Sequence, residues 1–212
     1  GLIQPVKFVP QLEESGSIRY IDLFMFEEVC RTLKKWRDQG FRPLAVSLNF
    51  SRATMLTENL IQTMEEIYSK YRPPRELIEI EITESIGEVE RETVAQIGRR
   101  IVAAGFRLSL DDFGAKYSNI SVLSAMDLHV VKLDKSLIND LTTNAATRVI
   151  VSNFIKTCRE LKIEIVAEGV ETREQFELLK AMDCDLAQGY YFNKPIPLAD
   201  FERKYLERPG RE

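Results

Sequence analysis

The sequence predicts an α/β protein with parallel strands, and it favours a (β/α) barrel over an open doubly wound sheet. Short β-rich runs alternate with helical patterns along the 212 residues, which is typical of parallel βα units. The segment 48–55, after the first strand, contains no glycine, whereas doubly wound nucleotide-binding sheets carry a glycine-rich phosphate loop there. Polar residues end one strand after another, as expected in a barrel, where functional residues gather at one rim.

The strands are predicted from short apolar or alternating runs bounded by turn residues. The run 77–82 alternates isoleucine with glutamate, and 129–134 is apolar around one lysine. The predicted strands are 44–49, 77–82, 106–111, 129–134, 163–168 and 185–188. Six βα units are two fewer than a standard barrel has, so we expect N-terminal strands of the barrel to be missing from this chain.

The helices are predicted from apolar residues at helical spacing, with glycine as a stop signal after several of them. The predicted helices are 20–38, 55–71, 88–104, 118–125, 145–161, 172–182 and 198–206. We expect their apolar stripes, including Phe24, Phe26 and Trp36, to form the core. The polar segment 139–147 is expected to be a loop.

The composition restricts the class of protein and the class of partner. With 44% hydrophobic and 29% charged residues, the chain is expected to fold as one domain over 1–212. A net charge of −4 argues against long nucleic acid as a ligand. No apolar run is long enough to cross a bilayer, so we expect no membrane contact by this domain. The three cysteines form no CxxC, and His129 is the single histidine, which argues against zinc and suits a reducing cytoplasm.

Polar side chains at the strand ends form the candidate site. They are Asn49, Glu81, Asp111 with Asp112, Lys132, Glu168 and Gln188. Four carboxylates at one rim would repel one another unless cations neutralise them, and one lysine cannot balance that charge. Oxygen ligands without histidine suit Mg²⁺, Mn²⁺ or Ca²⁺, and two divalent ions could supply the missing charge.

Each of these residues also has a plainer interpretation. Taken singly, Glu79 is a solvated strand residue and Asn49 a helix cap, a position that Ser51 could also occupy. Asp111-Asp112, between an apolar strand and a glycine turn, is harder to explain without a function. Lys132 lies inside an apolar strand and needs a counter-charge, which Asp134 could provide structurally. A Schiff base on Lys132 is a second possibility, but it leaves the carboxylates without a purpose.

A series of short motifs carries a family resemblance over nearly the whole chain. The motifs are Phe8-Val9-Pro10, Ile21-Asp22, Ser47-Leu48-Asn49-Phe50-Ser51, Glu81-Ile82-Thr83-Glu84-Ser85, Asp111-Asp112-Phe113-Gly114, Lys132-Leu133-Asp134, Val166-Ala167-Glu168-Gly169-Val170-Glu171, Gln188-Gly189-Tyr190-Tyr191-Phe192 and Lys194-Pro195. In this order they resemble the EAL-domain cyclic di-GMP phosphodiesterases. Each motif alone is weak, but the ordered set is highly specific.

The resemblance implies a role for each candidate residue. The implied metal ligands are Asn49, Glu81, Asp111, Asp112 and Glu168, with Asp111 bridging two ions. Asp112 also belongs to the implied catalytic group with Lys132, which would orient the attacking water, and Gln188, which would hydrogen-bond near it. Glu84 and Glu171 would be supporting carboxylates, one beside the Asp-Asp-Phe-Gly loop and one near the guanine of the ligand.

The resemblance also implies a function and a setting. We expect two-metal hydrolysis of cyclic di-GMP to linear pGpG with Mg²⁺ or Mn²⁺, and inhibition by Ca²⁺, whose longer bonds and larger coordination number hold a water less productively. The implied setting is a cytoplasmic homodimer fused to sensory or GGDEF modules, in a parent protein that can be membrane-anchored. The alternative is a degenerate EAL domain that acts as a cyclic di-GMP receptor or a protein-interaction module.

Two departures from the family pattern bear on activity. The Glu-x-Leu motif that completes the first metal site is expected upstream of Gly1, so we expect this chain alone to be slow or inactive. Lys116 replaces the second glycine of the family loop Asp-Asp-Phe-Gly-x-Gly. A lysine forced to positive φ would cost about 1 kcal/mol or more. If Lys116 is strained in this way, we expect weaker binding of the second metal and higher activity in Lys116→Gly. The alternative is that this position has ordinary backbone angles and that the lysine points into water.

Overall fold

Strands and helices alternate along the chain in the computed structural model, which describes residues 7–42, 44–83, 91–115 and 120–206. The strands are β1 Val46–Asn49, β2 Ile78–Thr83, β3 Arg107–Phe113, β4 Val130–Leu133, β5 Glu164–Ala167 and β6 Leu186–Ala187. The helices are α1 Val9–Glu14, α2 Ile18–Asp38, α3 Arg52–Met55, α4 Leu60–Tyr71, α5 Arg91–Ala103, α6 Val122–Ala125, α7 Lys135–Asp140, α8 Ala145–Glu160, α9 Arg173–Ala181 and α10 Leu198–Tyr205, with a 3-10 helix at Arg75–Leu77.

The strands are hydrogen-bonded in chain order from β1 to β6. β1 pairs in parallel with β2, and β3, β4, β5 and β6 pair in parallel in succession. All six predicted strands are therefore present, in the parallel arrangement that the alternation predicts. The chain divides within β3 into two compact units: the described residues through Leu108 together with those from Phe201 on, and Ser109–Asp200.

The first unit is built around α2, which contacts α3, α4 and β1. Phe26 of α2 is fully buried, and its ring meets Phe50 and Phe106 edge to face, with centroids 6.2 and 5.6 Å apart. Trp36 is also buried, but Phe24 is 59% exposed, so its assignment to the core is wrong. Residues two apart on a helix point in nearly opposite directions, and Phe24 therefore cannot share the buried face of Phe26.

A second difference in this unit is that the helix predicted for 55–71 begins only at Leu60, as α4, while the separate short helix α3 ends at Met55. Asn59, which precedes α4, has a left-handed backbone with φ 59°. Asparagine adopts that conformation more readily than most residues, and it interrupts the helical hydrogen-bond pattern. The apolar periodicity on both sides of the break conceals it in the sequence.

In the second unit, α8 packs against β5 and contacts α7. The rings of Phe113 at the end of β3 and Phe154 of α8 stack with centroids 4.4 Å apart. Helix α7 was not predicted, and its last residues fall in the segment expected to be a loop. The Asp134 side chain accepts a hydrogen bond from the Ser136 amide at 2.9 Å and so caps α7, because the first amides of a helix lack intrahelical acceptors.

Candidate metal centre

Three carboxylates converge in the second unit. One oxygen atom each of Asp111, Asp112 and Glu168 lies within 4.8 Å of the other two. The aspartates belong to the end of β3, and Glu168 directly follows β5, where its amide donates to the Leu133 carbonyl at 3.0 Å. The carboxyl ends of β3 and β5, the strands on either side of β4, thus bring these acids together, as predicted from the polar residues at the strand ends.

The two adjacent aspartates can both join this group because β3 is irregular there. Its register with β4 shifts between Leu110 and Phe113, and Asp112 has a left-handed backbone with φ 57°. The Asp112 amide donates to Asp111 Oδ1 at 2.9 Å. Neighbours on a regular strand point to opposite faces, and this bulge removes that restriction.

Gly114 completes the turn with φ 96°, as expected from the sequence, and a Cβ there would collide with the Leu137 side chain. Unusual backbone angles are predicted from the sequence only at positions 114 and 116, whereas Asp112 itself has one. The other position at issue, Lys116, lies outside the described residues.

Lys132 of β4 lies between Asp111, at the end of β3, and Glu168, which follows β5. Its Nζ is 2.7 Å from Glu168 Oε1 and 3.3 Å from Asp111 Oδ1, and only 8% of its side chain is exposed. The prediction that this buried lysine has a counter-charge is confirmed, but the partners are Asp111 and Glu168. Asp134 caps α7 instead. Three carboxylates and one ammonium leave a formal charge of −2 (three negative, one positive), which favours a cation.

In the first unit, Asn49 and Glu81 are partners in the parallel register of β1 and β2. Glu81 is only 4% exposed, and its carbonyl accepts from the Phe50 amide at 2.8 Å. The helix cap after β1 is Ser51, whose Oγ accepts from the Thr54 amide at 3.2 Å. Asn49 is therefore not the cap of α3.

Glu79, on the same strand as Glu81, is also buried. It is 9% exposed, and its Oε2 is 3.3 Å from Nε of Arg107 at the start of β3. The interpretation of Glu79 as a solvated strand residue is wrong. Its burial requires this partner, because an unpaired charge would be costly there.

Gln188 follows β6 and is tied to the segment that carries Glu168. Its amide donates to the Ala167 carbonyl at 2.8 Å, and its carbonyl accepts from the Val170 amide at 3.0 Å. Glu171 stands just before α9, where its amide donates to Oε1 of Gln175 at 2.8 Å. The remaining supporting residue of the sequence prediction, Glu84, lies outside the described residues.

Comparison with known proteins identifies the family. The family model of the EAL domain matches residues 1–195. The chain belongs to the EAL domain family. The solved structure of the PaMucR phosphodiesterase in complex with c-di-GMP matches this EAL chain with a TM-score of 0.87 and 30% identity, over 95% of this chain and 81% of that one. The predicted family and the predicted TIM-like α/β class are therefore confirmed.

Curated relatives of this EAL chain are longer signalling proteins. Signaling protein YkoW of Bacillus subtilis is 33% identical over 207 residues, which cover 98% of this chain and 26% of YkoW. Cyclic di-GMP phosphodiesterase PdeR of Escherichia coli is 30% identical over 98% of this chain and 32% of PdeR. The chain thus spans about a quarter to a third of these relatives, and the family includes cyclic di-GMP phosphodiesterases. Among the described residues, no helix combines the length and the apolar character that a membrane span requires.

Proposed function

We propose that this EAL domain hydrolyses cyclic di-GMP to linear pGpG with two divalent metal ions. The observation that carries the proposal is the group of Asp111, Asp112 and Glu168 around the buried ammonium of Lys132. Two relatives also support the proposal. PdeR is named a cyclic di-GMP phosphodiesterase, and PaMucR was solved in complex with c-di-GMP.

The residues fit a hard divalent cation. Carboxylate oxygens from three residues lie close enough to share an ion, and the group has a formal charge of −2 even with Lys132 counted. Asp111, Asp112 and Glu168 would hold the ions, and the family resemblance adds Asn49 and Glu81 to the residues that would hold them. When bound, Mg²⁺ or Mn²⁺ would supply Lewis-acid activation of a water and stabilisation of a leaving oxygen.

The chain's own residues supply the orientation. Lys132 Nζ is held by Glu168 Oε1 and Asp111 Oδ1, so it can donate a hydrogen bond to the attacking water from a fixed position. Gln188 would add a second hydrogen bond near this water. Glu84 and Glu171 would act as supporting carboxylates, and Ca²⁺ would bind without supporting turnover.

The proposed cellular setting is inferred from the names of two relatives and from the free cysteines. MucR of Pseudomonas aeruginosa is named a bifunctional diguanylate cyclase and phosphodiesterase, and DosP of Escherichia coli an oxygen sensor. We propose that this domain likewise works within a longer protein, fused to GGDEF or sensory modules, as a homodimer. Its three free cysteines suit a reducing cytoplasm.

Product analysis tests the function. The intact protein that carries this sequence is incubated with cyclic di-GMP and Mg²⁺, and the nucleotides are separated by chromatography. The expected result is pGpG, with loss of turnover in EDTA and recovery when Mn²⁺ is added in excess. Binding of cyclic di-GMP without any pGpG would identify a receptor instead of an enzyme.

A further inference from the structure

Asp22 of α2 belongs to the Ile21-Asp22 motif, to which neither the fold nor the proposed reaction assigns a role. Its side chain is buried, with 7% of the residue exposed. Its Oδ2 accepts two hydrogen bonds, from the Ser51 amide at 2.8 Å and from the Thr54 hydroxyl at 2.6 Å. A residue of α2 thus binds the segment that directly follows Asn49, the last residue of β1.

The same helix face also holds the residue between Asn49 and Ser51. Phe26 lies one turn after Asp22 and meets the buried ring of Phe50 edge to face. The Phe50 amide donates to the Glu81 carbonyl at 2.8 Å. The two residues after Asn49 are therefore fixed by Asp22 and Phe26, and their backbone is tied to Glu81.

Asp22 also sets the direction of the hydrogen bonds in this segment. The Thr54 hydroxyl has one proton and donates it to Asp22, so the 3.0 Å contact between Thr54 Oγ1 and Ser51 Oγ is donated by Ser51. Ser51 Oγ in turn accepts from the Thr54 amide. Without Asp22, the Ser51 amide and the Thr54 hydroxyl both lose their acceptor. The hydrogen bonds of this turn can then adopt more than one arrangement.

We infer that Asp22 is a positioning residue for Asn49 and Glu81 and thereby for the divalent ion that they are proposed to bind. The inference rests on the proposed function. A ligand displaced by a fraction of an ångström binds its metal less well, and loss of a residue that orients ligands typically lowers metal affinity about 10- to 100-fold.

Titration of the intact protein with Mn²⁺, by isothermal calorimetry without nucleotide, tests this role. In Asp22→Ala, at least one Mn²⁺ site is expected to weaken about 10-fold or more. Asp22→Asn still offers an oxygen at the position of Oδ2, so its Mn²⁺ affinity is expected to stay within about threefold of the wild type. Thr54→Val removes one of the two hydrogen bonds and is expected to weaken the site about threefold.

The matched control is Val29→Ala, which removes buried apolar contacts from the same helix and leaves both Asp22 hydrogen bonds in place. It is expected to lower the unfolding midpoint without changing Mn²⁺ affinity. Exchange of the Ser51 amide, followed by NMR, is expected to accelerate in Asp22→Ala and not in Asp22→Asn. If Asp22→Ala fails to fold, Thr54→Val decides the matter, because a Mn²⁺ affinity equal to that of the wild type in this variant would overturn the inference.

Three outcomes would overturn the inference. Unchanged Mn²⁺ affinity in Asp22→Ala would show that the contact is structural only. Equal weakening in Asp22→Ala and Asp22→Asn would show that the negative charge acts at a distance, without positioning. Equal weakening in Val29→Ala would show a general effect of stability. A wild-type protein that binds no Mn²⁺ would instead refute the proposed function, and with it this inference.

Discussion

Asp112 has a backbone conformation that ordinary side chains avoid, with φ 57°, at the point where β3 bulges. The adjacent acids identify the site in the sequence, because two carboxylates after an apolar strand are hard to explain otherwise. The angle that brings them together could not be predicted, because it depends on pairing with β4. Aspartate adopts this conformation more readily than most residues, but it still costs free energy that the surrounding structure must offset.

Replacement of Asp112 separates this strain from the carboxylate. Asp112→Ala and Asp112→Gly both remove the acid, but only glycine adopts positive φ without cost. We expect the metal-free Asp112→Gly protein to be about 1 kcal/mol more stable than Asp112→Ala in urea unfolding, with Mn²⁺ binding weakened in both. Equal stability of the two variants would show that the position carries no strain.

Lys132 is the residue whose removal separates chemistry from binding. We expect Lys132→Ala to lower turnover of cyclic di-GMP by at least about 100-fold, because its proposed target is the attacking water, while nucleotide affinity changes little. The control is Lys156→Ala, which removes an exposed lysine from α8 and is expected to leave the rate unchanged. An unaltered rate in Lys132→Ala would remove this lysine from the mechanism.

At the scale of elements, Glu202 and Phe201 of α10 both contact α2. Glu202 accepts hydrogen bonds from Lys35 Nζ at 2.7 and 2.9 Å and from Trp36 Nε1 at 2.8 Å, and Phe201 stacks on Trp36 with centroids 6.1 Å apart. The hydrogen bonds from Lys35 and then Trp36 hold the pKa of Glu202 below its usual value of 4.5. A carboxyl group whose pKa is lowered by folding stabilises the fold above its unfolded pKa, and this contribution disappears as the pH falls through the folded pKa.

Glu202→Gln tests this attachment. At pH 7 the variant is expected to be less stable than the wild type by about 1 kcal/mol at most, because the contact lies near the surface and solvent screens it. The difference is expected to shrink as the pH falls below 4.5, since the wild-type carboxyl is then protonated as well. Urea unfolding at pH 7 and at acid pH measures it. A difference independent of pH would mean that the charge of Glu202 contributes nothing.

Some helices and strands were predictable from the sequence, and others were not. The period of α2 predicts this helix, because burial of one helix face leaves a regular pattern. The alternation of β2 predicts a strand but not its burial on both faces, because Glu79 and Glu81 are buried as well as the isoleucines. Helix α7 escaped prediction because it has only six residues and its cap, Asp134, was assigned to Lys132. The exposure of Phe24 was missed although the spacing contains it, since a residue two positions before Phe26 lies on nearly the opposite side of the helix.

At the scale of the whole molecule, the ordered motifs predicted the family, and the match over residues 1–195 confirms it. The grouping of Asp111, Asp112, Lys132 and Glu168 was predicted from strand ends alone, because parallel strands share their carboxyl edge. That Asn49 and Glu81 join this group at one rim stays a prediction, as do the roles of Gln188, Glu84 and Glu171.

The residue at position 116 is expected to affect both metal binding and the rate of the proposed reaction. We expect Lys116→Gly to raise the rate of cyclic di-GMP hydrolysis in the intact protein and to tighten the weaker of two Mn²⁺ sites, because glycine accepts backbone angles that lysine adopts only at a cost. Calorimetric titration together with rate measurements compares the two proteins. Identical affinities and rates would show that Lys116 is only a surface charge.

Anomalous diffraction at the manganese absorption edge, from crystals of the intact protein grown with Mn²⁺, tests the central claim most directly. The account predicts two ions about 3.5–4 Å apart, with Asn49, Glu81 and Asp111 around the first and Asp112 with Glu168 on the side of the second. A single ion, or two ions that leave Asn49 and Glu81 without a metal contact, would contradict it.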